Sequence, residues 1–156
     1  NRIQNISTKE RRGQRMGSIF GYAIAEKSTN PTSWLELILR SLEQVQPKDR
    51  DFEFLAGYLS GLAKTNPKEV EKFKKLAAES SDLAPALPSI CWRMGIQAND
   101  IHLVSGALKA GLIKPWGLMQ WSGGGVLAKL LPSEVSSLFD LLMDMEKEGF
   151  SVAIDL

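Results

Sequence analysis

Residues 16–34 read MGSIFGYAIAEKSTNPTSW, and residues 52–70 read FEFLAGYLSGLAKTNPKEV. At an offset of 36, Gly21-Tyr22 meets Gly57-Tyr58 and Asn30-Pro31 meets Asn66-Pro67. Met16 falls on Phe52, Ile19 on Leu55, Ala25 on Gly61, Thr29 on Thr65 and Trp34 on Val70, so apolar meets apolar and small meets small. Within each copy the apolar residues recur three and four apart, the period of one face of an α-helix. An Asn before a Pro suits a helix start. The Asn side chain accepts from an orphaned backbone N–H, and proline at the first helical position has no N–H to leave unpaired. Each copy therefore reads as helix, turn, helix, and the pair raises the prospect of a repeat array.

The same period runs outward in both directions. Trp34, Ile38, Leu42 and Val45 form one series, and Val70, Phe73 and Ala77 another. Leu83, Leu87, Ile90, Cys91 and Met94 follow, then Ile101, Val104 and Leu108. Trp116, Met119, Gly123, Leu127 and Leu130 make a seventh series, and Val135, Leu138, Leu142 and Met145 an eighth. Ser33 with Glu36 fits a capping box. Pro115 and Pro132 each stand where a helix can start. Gly95, Gly111 and Gly149 each follow a periodic segment, where a left-handed terminating residue is wanted. Pro85 and Pro88 predict that the fifth helix starts late or kinks. Two-residue alternation is confined to Phe150, Val152, Ile154 and Leu156, with no partner strand nearby, so a sheet is not expected.

Two weaker copies extend the repeat. Val70, Phe73 and Ala77 correspond to Ile101, Val104 and Leu108 at an offset of 31, and to Val135, Leu138 and Leu142 at an offset of 65, which also puts Pro67 on Pro132. The predicted fold is all-α, with four helix–turn–helix units near residues 10–46, 51–80, 83–111 and 115–148. Two short helices cannot bury an apolar face alone, so each unit stacks on the next and the core runs lengthwise. Gly13, Gly17 and Gly21 recur every four residues, as do Gly57 and Gly61. Each costs a helix interior about 1 kcal/mol relative to Ala. Close approach of a neighbouring helix would offset that cost, so Gly57 and Gly61 are expected to be packing positions. Arg12, Gln14 and Arg15 within the first stripe exclude a membrane helix.

Paired amphipathic helices, a period of 31–36 and short Asn-Pro turns resemble HEAT-type α-solenoid repeats. The resemblance covers most of the chain, although these units are shorter than typical HEAT repeats. It implies a right-handed α-solenoid and a scaffold or recognition module, commonly one segment of a larger protein. The Trp, Leu-Gly, Tyr pattern of tetratricopeptide repeats and the Thr-Pro-Leu-His of ankyrin repeats are missing.

Length and composition agree. The 156 residues suit one domain, and 44% hydrophobic with 24% charged residues is an ordinary globular mixture with enough apolar material for a core. The single cysteine, Cys91, excludes a disulfide scaffold or cysteine-based zinc cluster. No apolar run approaches the roughly 18 residues of a membrane span. The polar, basic start carries no secretion signal, and the expected location is the cytoplasm. Asn1 in place of an initiator Met, and an apolar end at Ile154-Asp155-Leu156, point to a single helical-repeat domain cut from a longer protein.

Enzyme chemistry finds little purchase. His102 is the sole histidine and Cys91 lies in an apolar stripe, so a Cys/His pair has no visible orienting group. One His among scattered carboxylates offers no metal-ligand spacing. Ser122-Gly123-Gly124-Gly125 resembles an anion-holding glycine loop, but it lacks the closing Gly-Lys-Ser/Thr, and a tight helix contact or hinge is the favoured reading. Asn5-Ile6-Ser7 matches a glycosylation sequon in a chain with no sign of secretion. No catalytic, cofactor or metal residue is assigned.

The expected function is a non-enzymatic protein–protein interaction scaffold whose partner is another protein or another domain of the same chain. Its candidate contact residues are Lys68, Lys72 and Lys75, which share a helix face with Lys74 nearby, and Trp92, Trp116 and Trp121, because exposed Trp is enriched in binding hot spots. The alternative is nucleic-acid binding through Arg11, Arg12 and Arg15, with the lysine face of residues 68–75. Residues 1–15 hold five basic groups against Glu10 alone. A net charge of +1 opposes that alternative.

Overall fold

The computed structural model describes residues 8–156 except positions 124 and 146, and gives the backbone alone for residues 8–15, 147, 148 and 150. The sequon at Asn5-Ile6-Ser7 therefore lies outside the described residues. The fold is all-α, and no strand occurs among the described residues. Two compact units divide the chain, one up to Pro67 and one from Lys68 on.

The first unit contains α1 (Thr8–Lys27), α2 (Pro31–Glu43), a 3₁₀ turn at Pro47–Asp49, and α3 (Glu53–Leu62). α2 starts as the Asn30-Pro31 pair demands, three residues earlier than the Ser33/Glu36 box would place it. Asn30 is the cap, its Oδ1 accepting from the Ser33 N–H at 3.3 Å, and Pro31 follows. α1 and α3 run parallel and nearly touch. A Cβ at Gly21 would stand 2.9 Å from the Tyr58 nitrogen and collide with the Phe54 carbonyl. One at Gly57 would collide with the Ser18 backbone, and one at Gly61 would lie 2.8 Å from both the Ala25 Cβ and the Tyr22 carbonyl oxygen. These contacts repeat under the 36-residue offset: Gly21 on Phe54 has its counterpart in Gly57 on Ser18, and Gly61 on Ala25 maps onto itself. The two copies thus meet through equivalent faces in register. Tyr58, fully buried, donates its hydroxyl to the Pro31 carbonyl at 2.7 Å and ties α3 to the start of α2. Burial holds its phenol above the usual tyrosine range.

The second unit contains α4 (Pro67–Ala78, all but its first residue), α5 (Leu87–Met94), α6 (Ala98–Lys109), α7 (Pro132–Asp144) and α8 (Lys147–Asp155), with 3₁₀ segments at Ala84–Ala86, Pro115–Ser122 and Leu127–Lys129. Pro85 and Pro88 delay α5 to Leu87. Gly95 and Gly111 end their helices with φ of +80° and +71°, which glycine adopts without strain.

Two sequence expectations fail here. The described residues of 115–130 form 3₁₀ segments and no α-helix, so the fourth helix–turn–helix unit lacks its first helix. Gly149 is no terminator; it lies inside α8, where a Cβ would meet the Leu142 carbonyl and the Met145 Cβ. The alternation that ends at Leu156 belongs to helical α8, with Val152 and Ala153 buried.

Candidate interaction surfaces

The segment Pro115–Ser122 is a 3₁₀ helix, with three residues per turn. Its buried residues are Pro115, Leu118 and Trp121, spaced by three. Trp116 and Met119, on the next face, project into solvent, Trp116 with 66% of its surface exposed. An α-helical period would place Trp116 and Met119 on one face with Gly123, Leu127 and Leu130; the period of three instead separates them from the buried row and turns them out. Trp121 is only 1% exposed and donates its indole N–H to the Pro88 carbonyl at 2.8 Å. It is therefore removed from the predicted contact residues. Its bond pins the segment to α5, so the Trp116 ridge is carried on a firmly anchored backbone.

Trp92, at the end of α5, is partly exposed, and the Arg93 guanidinium lies 5.5 Å from its ring centre. Lys68, Lys72 and Lys75 are exposed along α4. Lys74 is not part of that face. It is 1% exposed, and its Nζ donates to Asp100 Oδ1 at 2.7 Å and pairs with Glu71. Asp100 also accepts from the Gln97 N–H at 3.0 Å, closing the first turn of α6. Burial alone would lower the Lys74 pKa; hydrogen bonds to Asp100 and Glu71 and the Asp100 charge outweigh it and leave it raised. Cys91 packs beside this cluster. Burial, with the negative charge of Asp100, pushes its thiol far above the ordinary cysteine range. The cluster thus joins α4, α5 and α6, and holds its thiol protonated and unreactive.

In the first unit the structure shows a surface absent from the predicted contact residues. Trp34, Leu37, Ile38, Ser41 and Leu42 of α2, with Val45 just beyond it, line a groove of about 430 Å³, closed on the other side by Phe54 and Leu55 of α3. Asp49 of the 3₁₀ turn and Asp51, just before α3, also line it. The Ser41 hydroxyl is spent on the Leu37 carbonyl at 2.8 Å, which leaves the groove effectively apolar. Phe54 continues it toward Phe20 of α1, at a ring separation of 6.1 Å. The periodic series Trp34, Ile38, Leu42 and Val45 thus lines an open trough.

The remaining predicted positions stand apart from these surfaces. His102 is exposed on α6, away from a buried Cys91. Arg11, Arg12 and Arg15 lie on α1, but their side chains are outside the described residues. So is Gly124 of the glycine loop; of its neighbours, a Cβ at Gly123 would meet nothing within 4 Å and Gly125 has a φ of +61°. Among the described residues no group of three or more His, Cys, Asp or Glu could hold a metal ion, and no helix is long and apolar enough to cross a membrane. No family model, curated protein or solved structure matches the chain.

Proposed function

We propose that the chain is a helical-repeat module of the HEAT-like α-solenoid kind, acting as a non-enzymatic protein–protein interaction scaffold. The repeat part of this reading is supported by the 36-residue correspondence in sequence, in which each copy supplies a helix, an Asn-Pro turn and a second helix. The binding part is carried by one observation: Trp116 projects from a 3₁₀ helix whose opposite face is anchored by Trp121. A large aromatic held on a fixed backbone loses little side-chain freedom on binding, which is what a hot spot requires. The nucleic-acid reading has less behind it, because Lys74, next to the lysine face, is buried and paired with Asp100 and Glu71, and the net charge is +1.

The test compares affinity-tagged full chain with its Trp116→Ala and Met119→Ser variants in cells that express it, after chemical cross-linking. A protein recovered in near-stoichiometric amount with wild type, and lost with Trp116→Ala while helicity is unchanged, is the expected result. The same recovered set for all three chains would remove the ridge from the reading.

A further inference from the structure

We propose that the α2 groove receives one amphipathic helix of a partner protein, carrying Lys or Arg at the end that meets Asp49 and Asp51. This deepens the scaffold reading and rests on it.

The shape argues for a helix. The α2 residues on the groove run from Trp34 to Leu42, eight steps, or about 12 Å at 1.5 Å per residue, and Val45 extends the floor just past the helix end. A trough more than two turns long, floored by a three-and-four-spaced apolar row, offers the ridge-and-groove surface on which a second helix packs. Its floor is also available: Leu37 is 54% exposed at its centre. Large apolar side chains left open in a continuous strip mark interaction sites.

Charge argues for the basic end. Among the described residues, the ionisable ones lining the groove are Asp49 and Asp51, both in the connection that leads from α2 to α3. Asp51 uses one oxygen to accept from the Glu53 N–H at 2.9 Å, and a carboxylate retains further acceptor sites. Arg50, between them in sequence, turns its Nε to the Val45 carbonyl at 3.1 Å and does not line the groove. A cation on the occupant would meet two carboxylates there, whereas an acidic end would be repelled.

The experiment uses the full chain as bait for a displayed library of random 18-residue peptides. Selected peptides are synthesised with a fluorophore and titrated by anisotropy against wild type, Leu37→Glu and Asp49→Lys, all checked for equal helicity. The expected peptides have apolar residues three and four apart and Lys or Arg at one end. Their affinity should fall at least tenfold with Leu37→Glu. Asp49→Lys should reverse the preference between a lysine-ended peptide and its glutamate-ended copy. The proposal is overturned if no peptide binds saturably, if binding ignores Leu37→Glu, or if Asp49→Lys leaves the charge preference unchanged. It is equally overturned if sedimentation shows that the chain self-associates and Leu37→Glu abolishes this, since the occupant is then a second copy. A peptide lost with Trp116→Ala but kept with Leu37→Glu would remove the groove while leaving the scaffold reading standing.

Discussion

At Gly61 the sign of a substitution measures how close two helices lie. A Cβ there would meet the Ala25 Cβ and the Tyr22 carbonyl oxygen, each at 2.8 Å. Neither can withdraw easily, one being on a buried alanine and the other on helix backbone. Gly61→Leu should therefore cost on the order of 1–3 kcal/mol by overpacking, read as a lower urea midpoint. Gly106, inside α6, supplies the opposite case: nothing lies within 4 Å of its would-be Cβ. Gly106→Ala should stabilise by about 0.5–1 kcal/mol, because alanine is the better helix former and loses less freedom on folding. Equal signs for the two changes would contradict the packing difference. Cys91 belongs at this scale too. It has no exposed surface and its thiol is held protonated, so a disulfide reagent at pH 8 should modify it no faster than the chain unfolds. Fast modification of folded protein would contradict that burial.

Among the elements, α4 is fastened to α6 by a buried ion pair, and its removal is asymmetric. Lys74→Ala would strand the Asp100 carboxylate, which is fully buried, and should cost about 3–5 kcal/mol. Adding Asp100→Asn removes the stranded charge, so the double variant should be more stable than Lys74→Ala alone; urea melts of the four chains give the coupling. The signal for this pair was present in the sequence, since Lys74 lies between Phe73 and Ala77 on the buried row Val70, Phe73, Lys74, Ala77, Ala78. A lysine in that row reads as solvated unless its partner is known, and Asp100 is 26 residues away. The helices themselves were legible because period, prolines and asparagines agreed over residues 16–78. Residues 115–122 were not. Trp116 and Met119 are three apart, a spacing that 3.6 and 3.0 residues per turn both accommodate, and only burial decides which of the two turns they follow. The α2 groove escaped for a different reason: periodicity identifies an apolar face but not whether a neighbour covers all of it.

For the molecule as a whole, the shifted groups point to one weakness, at alkaline pH. Cys91, Tyr58 and Lys74 all bind their protons more tightly in the folded chain than when unfolded. A raised pKa contributes stability that is complete below the unfolded value and is lost as pH climbs through the folded one. The unfolded values are roughly 8.5 for cysteine, 10 for tyrosine and 10.4 for lysine, so the losses begin in that order. Lys64 also shifts upward, chiefly through its hydrogen bond to Tyr22 and then that to Glu26, but it is fully exposed and solvent screening leaves it no weight. Two of the three weighted groups, Cys91 and Lys74, lie beyond Lys68, so the alkaline loss should be concentrated in the second unit. Tryptophan fluorescence can isolate that unit, since Trp34 is the one tryptophan before Pro67. In a Trp34→Phe background, unfolding free energy from urea melts should be level up to about pH 8.5 and then fall by roughly 1.4 kcal/mol per pH unit, about 2 kcal/mol by pH 10. Cys91→Ala should remove most of that slope over this interval while leaving a fall that begins near pH 10.4, where lysine loses its proton in the unfolded chain but Lys74 keeps it in the folded one. An unchanged slope in Cys91→Ala would mean that the thiol ionises as readily in the folded unit as in the unfolded chain, and the buried cluster of Lys74, Asp100 and Cys91 would have to be more open to water than its geometry allows.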